Sequence, residues 1–345
     1  MMRISICIPQ YNRIEYLKIN LEKIALQKNA DIEVIVSDDA STDDTPMQIS
    51  EIQTTYPFPL VYFRFEQNQG YDRNLRKSLE LAKGEYCFIL GNDDTLNQPD
   101  DIEWLVKWLT ENQKPDVGFC NSSQFSNVKV IISRASENAV IGKGPDIAIK
   151  YYRSFSFVAG IIIKKSVFKK FNTNLTDGSI YSQMYFCTKI IVEGNSLFTL
   201  NRPMVLQQIT LDSKIANSYL DTLPKKLTDY KPVNDGGLHN VIYVTNLAFS
   251  KLPNHSKYTY LILKGIYKYT YTFWLFDYRR HHSYISSINL ASGLFPLKIA
   301  LFKSLNIFRQ FYILFFYTCM TLTGLLLPVT IFKILERKIY AIIKK

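Results

Sequence analysis

The chain has 345 residues, 47% of them hydrophobic and 21% charged, and a net charge of +11. That composition excludes a disordered chain, and the length exceeds one ordinary domain. Its five cysteines, Cys7, Cys87, Cys120, Cys187 and Cys319, are odd in number and far apart, without a C-x-x-C pair or a His at ligand spacing. They argue against a disulfide scaffold or zinc finger and fit a reducing compartment. Charge is uneven: residues 1–110 hold 11 Lys or Arg against 18 acids, and the remainder 30 against 12. A basic second part suits nucleic acid, anionic lipid or a phosphorylated acceptor, and charge alone does not choose among them.

The apolar run Ile4 to Ile8 is too short for a signal peptide and reads as a first strand, so the chain is not expected to be exported. Further strands are predicted at 32–37, 61–65, 86–90 and 117–120 from short β-rich runs. Between the first two, Ile14, Leu17, Leu21, Ile24 and Ala25 fall at spacings of three and four, one apolar face of a helix. Similar patterns predict helices near 46–56, 72–82 and 99–110. Strands alternating with helices imply an α/β protein with a mainly parallel sheet, whose ligands bind at the carboxyl ends of the strands. From 122 to 210 the pattern loosens to a strand at 157–163, a helix at 180–193 and a strand at 204–208, a mixed half completing the sheet. Residues 211–294 read mostly as helices, including 258–276.

From Gln310 to Phe332 there are 23 uncharged residues, enough to cross a hydrocarbon core of roughly 30 Å. Thr318, Thr321, Thr323, Gly324 and Pro328 dilute that apolar character, and a buried hairpin is the competing reading. Residues 295–345 carry eight Lys or Arg and one acid, Glu336, with Ile334, Leu335, Ile339, Ile342 and Ile343 near helical spacing. Basic plus apolar predicts a tail that associates with an anionic membrane surface, with a single span through 310–332 as the stronger form.

Three segments follow predicted strands, where a doubly wound sheet holds its ligand. Pro9-Gln10-Tyr11-Asn12-Arg13 opens the first helix and offers a flat ring and backbone N–H groups. Ser37-Asp38-Asp39-Ala40-Ser41-Thr42-Asp43 sets two adjacent carboxylates at a strand end. An N-cap explains Ser41 or Asp43 but not the pair, which repel unless a donor-rich ligand shares them. Asn92-Asp93-Asp94 offers hard oxygens suited to Mg²⁺ or Mn²⁺, which bind through one or two carboxylates plus substrate phosphates. Arg73 could meet a diphosphate with its planar fork; a surface ion pair with Asp72 or Glu80 is the plainer alternative.

Together these residues resemble the family-two glycosyltransferases of the GT-A fold. The matching pieces are Ile8 to Arg13, Ser37 to Asp43, Asn68-Gln69-Gly70, Arg73-Asn74, Ala82 to Tyr86 and Asn92-Asp93-Asp94, in family order and spacing across residues 3–121 and more faintly to 208. Gly70-Tyr71-Asp72-Arg73-Asn74 and Ala159 to Lys165 are most similar to bacterial surface-polysaccharide enzymes of the abequosyltransferase type. The resemblance implies a GT-A catalytic domain over 1–210, its nucleotide-sugar half at 1–121 and its acceptor half at 122–210. A helical region at 211–294 and the tail at 295–345 follow.

It also implies roles. Pro9, Tyr11 and Asp39 would hold the nucleobase, with Asp38 and Arg13 around that pocket. Asp94 would ligate the metal, with Asp93 turned to the sugar or ribose, and Arg73 and the metal would neutralise the diphosphate. Many family members place a Glu-Asp or Asp-Asp pair on an acceptor-side helix to deprotonate the acceptor. Here that stretch holds only Asp177, the sole carboxylate between Asp146 and Glu193, so Asp177 is the candidate base, with a helix N-cap as its other reading.

The expected reaction is a single inverting displacement on a nucleoside-diphosphate sugar by a hydroxyl of a glycan or lipid-linked oligosaccharide. The expected place is the cytoplasm, peripheral at the inner face of the cell membrane. A nucleotidyltransferase needs a Gly-rich basic loop after the first strand, and Gln10 to Arg13 contains no Gly. A nonenzymatic nucleotide-sugar binder remains the alternative, because no base pair of acids is present. No nucleic-acid motif accompanies the basic second part, so nucleic acid is not an expected partner.

Overall fold

The structure is a computed structural model and describes residues 2–211, 214–215 and 237–332. The apolar positions Ile334, Leu335, Ile339, Ile342 and Ile343 of the predicted tail lie outside the described residues. Two compact units divide the chain, Met1–Leu220 and Asp221–Lys345.

In the first unit the elements run β1 (Arg3–Gln10), α1 (Ile14–Ala25), β2 (Asp31–Asp38), α2 (Thr45–Gln53), β3 (Leu60–Arg64), α3 (Tyr71–Leu81) and β4 (Tyr86–Ile89). The order β3-β2-β1-β4 is parallel throughout. β1 is buried from Ile4 to Gln10, as a strand covered on both faces must be. Ile14, Leu17, Leu21 and Ile24 of α1 are buried, the face their spacing predicts. The sheet first grows from β1 toward β3 and then resumes on the other side with β4. This reversal leaves a crevice at the carboxyl ends of β1 and β4.

β9 (Ile161–Lys164), β6 (Val117–Gln124), β10 (Leu197–Gln207) and β5 (Thr95–Leu96) complete the sheet. β9 runs antiparallel between β4 and β6, β10 is parallel to β6, and β5 closes the edge antiparallel to β10. The mixed, mainly parallel architecture expected of the sequence is therefore present. The strand expected from Phe157 begins only at Ile161, because a 3₁₀ turn occupies Tyr152–Phe155 and Gly160 takes φ of 77°. β7 (Asn127–Ile132) and β8 (Ala139–Gly142) were not expected; both are largely solvent-facing and lack a buried alternation to announce them.

Gly84 shows why Ala82-Lys83-Gly84-Glu85 precedes β4. A Cβ there would stand 2.6 Å from Ser5 Oγ and 2.7 Å from Arg3 O, so only glycine lets the turn reach β1. The amides of Lys83 and Gly84 donate to Glu33 Oε1 at 2.6 and 2.9 Å, satisfying a buried carboxylate of β2.

The described part of the second unit is helical. The helix expected at 258–276 is longer: His255–Gly265 continues through a π-helical turn at Ile266–Thr270 into Tyr271–His281. The helix Ile307–Leu326 ends before Pro328, and no helix among the described residues is long and apolar enough to cross a membrane. The predicted span through 310–332 is thereby corrected. One face of this helix packs on its neighbours, with Ile313 buried, the hydroxyls of Tyr271 and Thr321 2.9 Å apart and Gly324 set against Leu275.

Gly84→Ala is expected to lower stability by about 1–3 kcal/mol through overpacking against Ser5. The shift of the urea midpoint at unchanged slope is the measurement.

Candidate functional site

Gln10, the last residue of β1, ties the strand ends together. Its carbonyl accepts the Asp39 N–H and Asn74 Nδ2, each at 2.9 Å. Its Nε2 donates to Asn12 O at 2.6 Å and Thr45 Oγ1 at 3.1 Å, and its Oε1 accepts Asn92 Nδ2 at 2.9 Å. One fully buried amide thus holds the loops after β1, β2 and β4 and the first turn of α3 in a fixed arrangement.

After Gln10 the chain turns sharply, with Asn12 and Arg13 both left-handed at φ of 49° and 71°. The neighbouring loop holds the strained turn: Asn12 N–H donates to Ser41 Oγ, Thr42 N–H to Asn12 Oδ1, and Ile14 N–H to Asp43 Oδ2. As a result Pro9 lies buried in β1, while Tyr11 stands 45% exposed at the strand end.

The pair Asp38 and Asp39 needs no ligand to relieve its repulsion, contrary to the argument from sequence. Asp38 is fully buried, and its oxygens accept the N–H and hydroxyl of Ser41 and the Tyr62 hydroxyl at 2.6 Å, with Arg64 Nε at 3.7 Å. Its oxygens are committed within the fold. Asp39 accepts the amides of Gln69 at 2.6 Å and Gly70 at 2.9 Å and so clamps the entry to α3. Burial raises its pKa, and those two amides pull the other way.

Asp93 and Asp94 are different. Gly91 allows their approach, since a Cβ there would lie 2.8 Å from Asp94 Oδ2 and 3.0 Å from Asp93 Oδ1. The chain after β10 clamps the turn from the far side: Gln208 N–H donates to Asp94 Oδ1 at 3.1 Å and Ile209 N–H to Asp93 O at 2.8 Å. Arg13 Nη1 stands 3.6 Å from Asp93 Oδ2. Burial raises the pKa of Asp93 and, with the adjacent Asp93 charge, pushes that of Asp94 well up. The nearby Tyr71 hydroxyl is also shifted upward, by burial first and then by Asp72, Asp94 and Asp93.

A second cation, Arg134, was not anticipated. Its guanidinium donates to the carbonyls of Cys120, Ala159, Phe157 and Ser154 and lowers the pKa of Asp94 from a distance. It lies in an irregular stretch after β7, where nothing in the local sequence points inward.

The donor set suits a hard divalent cation: two adjacent, desolvated carboxylates with one backbone N–H on Asp94. No group of three His, Cys, Asp or Glu converges to hold a metal among the described residues. Such an ion would therefore complete its shell with substrate phosphate and water, as Mg²⁺ usually does.

The remaining predicted residues line a cavity of about 500 Å³ between α3 and the segment 172–177. Arg73 reaches Gln69 Oε1 at 2.7 Å and lies over the Phe65 ring, pairing with neither Asp72 nor Glu80. Asp177 is bound by both arms of Arg76, at 2.9 and 2.6 Å. It is not the N-cap of α7 (Ser182–Val192). Asp72, reaching across from α3, accepts the N–H groups of Ser182 and Ile180 instead. The base role expected of Asp177 would first require Arg76 to let go.

Residues 5–171 match the family model described as Glycosyl transferase family 2. Abequosyltransferase RfbV of Salmonella typhimurium is 32% identical over 223 residues, 59% of this chain and 66% of that protein. The GalNAc(5)-diNAcBac-PP-undecaprenol beta-1,3-glucosyltransferase of Campylobacter jejuni is 32% identical over 96 residues, 28% of this chain and 31% of its own. The match thus spans just under two thirds of the first of these relatives and under one third of the second. The crystal structure of S. aureus TarS 1-349 is similar with a TM-score of 0.59 at 15% identity, over 94% of this chain and 89% of that one, a likeness of fold. Its complex with UDP is similar at 0.60 and 14%, over 93% and 91%. The strand-end motifs and most of the sheet thus fall within a segment, just under half of the chain, that is similar to Glycosyl transferase family 2.

Proposed function

We propose that the protein transfers a sugar from a nucleoside-diphosphate sugar to a hydroxyl of a glycan or lipid-linked acceptor in bacterial surface-polysaccharide synthesis. The observation that carries this is the Asp93–Asp94 pair over Gly91, facing Arg13 at the sheet edge where Tyr11 is exposed and Asp39 meets the α3 loop. The Campylobacter jejuni relative, named for an undecaprenol-linked glycan, supports the lipid-linked acceptor class. The UDP complex of TarS supports the donor class.

In this reading Tyr11 and Pro9 form the wall against which the base stacks, with Asp39 beside it. Asp94, assisted by Asp93, would hold Mg²⁺ or Mn²⁺, which would supply positive charge to the departing diphosphate. Arg13 keeps Asp93 oriented, and Arg73 lends a second positive charge near the pocket. Asp177 holds Arg76 in the cavity wall through a two-armed ion pair, a task that occupies the oxygens a base would use. One in-line displacement inverts the anomeric centre, and a retained configuration in the product NMR spectrum would reject it. The 1–210 catalytic domain, followed by helical segments that meet the inner membrane face, is the organisation proposed for the whole chain.

Thermal unfolding with UDP, GDP, CDP or dTDP tests the donor site. One nucleotide with Mn²⁺, at about 100 times its Kd, is expected to stabilise by roughly 2.7 kcal/mol, and Asp94→Ala to abolish the shift. No shift with any of the four, in folded protein, rejects the reading.

The acids should separate by sign. Asp38→Asn is expected to cost about 1–3 kcal/mol, since its amide cannot accept from all its present donors. Asp94→Asn should instead stabilise the ligand-free protein by about 0.5–2 kcal/mol at pH 8. Because the folded pKa of Asp94 is raised, the wild-type penalty grows as pH climbs above the unfolded carboxylate value. The advantage of the Asn variant should therefore shrink as pH falls toward 4; urea titrations across pH measure both.

Asp177→Asn is expected to reduce kcat by less than about tenfold and to keep the acidic limb of the pH–rate profile. A fall of about 10²–10⁴ with loss of that limb would restore it as the base.

A further inference from the structure

The helix Ile307–Leu326 leaves one face uncovered. Phe308, Phe311, Phe315, Leu322 and Leu326 are exposed, Phe308 by 82%, and with Cys319 they recur at spacings of three and four along the whole helix. The buried positions Ile313 and Gly324 lie on the opposite side. A row of three exposed phenylalanines far exceeds the scattered apolar residues an ordinary surface carries.

Cations border the stripe. Lys264 Nζ sits 5.3 Å from the Tyr312 ring and Lys268 Nζ 5.5 Å from the Phe316 ring, both rings on this helix. Lys298, Lys303 and Arg309 lie just before or within its first turn. Across residues 237–332 there are nine Lys or Arg and a single acid, Asp277. That imbalance chooses the occupant. A second copy meeting this face would set like charges against like, with almost no acid among residues 237–332 to pair them, whereas an anionic bilayer supplies both the negative charge and the apolar depth.

We propose that this face docks the protein onto an anionic phospholipid surface, the helix lying in the plane of the headgroups with Phe308, Phe311 and Phe315 inserted. The inference rests on the proposed function only for its purpose, since a membrane-linked acceptor is met there. The docking itself follows from the second unit alone.

Vesicle co-sedimentation tests it, comparing equimolar phosphatidylcholine and phosphatidylglycerol with phosphatidylcholine alone. The full chain should bind the anionic vesicles at least about tenfold more strongly, and Phe308→Ser/Phe311→Ser/Phe315→Ser should lower that binding by about tenfold or more while the circular dichroism is kept. Should the triple variant fail to fold, Lys264→Gln and Lys268→Gln should each weaken anionic-vesicle binding about fivefold and leave the neutral-vesicle value unchanged. Equal binding to both vesicles, undiminished binding by the triple variant, or a wild-type dimer that this variant converts to monomer in sedimentation velocity would overturn the proposal. Nucleotide-dependent thermal shifts, measured in the same variants, report on the donor site separately.

Discussion

Five carboxylates crowd one edge of the sheet, and the cost of desolvating them governs how that edge is built. Asp38, Asp39 and Asp43 are answered by the chain itself: by Ser41 and Tyr62, by the amides of Gln69 and Gly70, and by Thr45 and the first amide of α1. Gln10 supports all of this, since it anchors the ends of β1 and β2 and the start of α3 at once. Asp93 and Asp94 have weaker answers, Arg13 at 3.6 Å and the Asp93 amide for the first, the Gln208 amide and the more distant Arg134 for the second. Among the described residues three of the acids are thus satisfied internally, and the other two are the pair on which the proposed cation site rests.

Much of the first unit was legible in the sequence, for a physical reason. Buried parallel strands must be continuously apolar and their helices periodic, so β1, β2, β4, α1 and α3 could be read to within a residue or two. β7 and β8 obey neither constraint, being half in solvent, and left no pattern. Motif reading found the acids at the strand ends but could not divide them by task. Whether Asp38 meets a ligand or Ser41 and Tyr62 depends on a partner 24 residues away. Arg134 was invisible because its partners are backbone carbonyls, which every sequence has.

In the second unit the hydropathy of 310–332 read as a candidate span, and the folded helix shows why length and charge were insufficient evidence. Its hydroxyls and its glycine serve one packed face: Thr321 meets Tyr271, Tyr317 reaches the Ala291 carbonyl, and Gly324 admits Leu275. Phe308, Phe311 and Phe315 serve the other. A sliding average blends two faces that the helix keeps apart.

Asp72 joins the two halves of the first unit in a way that motif reading gives no hint of. Its carboxylate, one residue into α3, holds the N–H groups that begin α7, while Asp39 grips the amides that begin α3. Asp39, Gly70, α3, Asp72 and α7 thus form a connected series, joined by charge-assisted hydrogen bonds, from the end of β2 to the opposite half of the unit. Removing either carboxylate would leave two amides at a helix start without their acceptor, so the seating of each helix depends on an acid from a distant part of the chain.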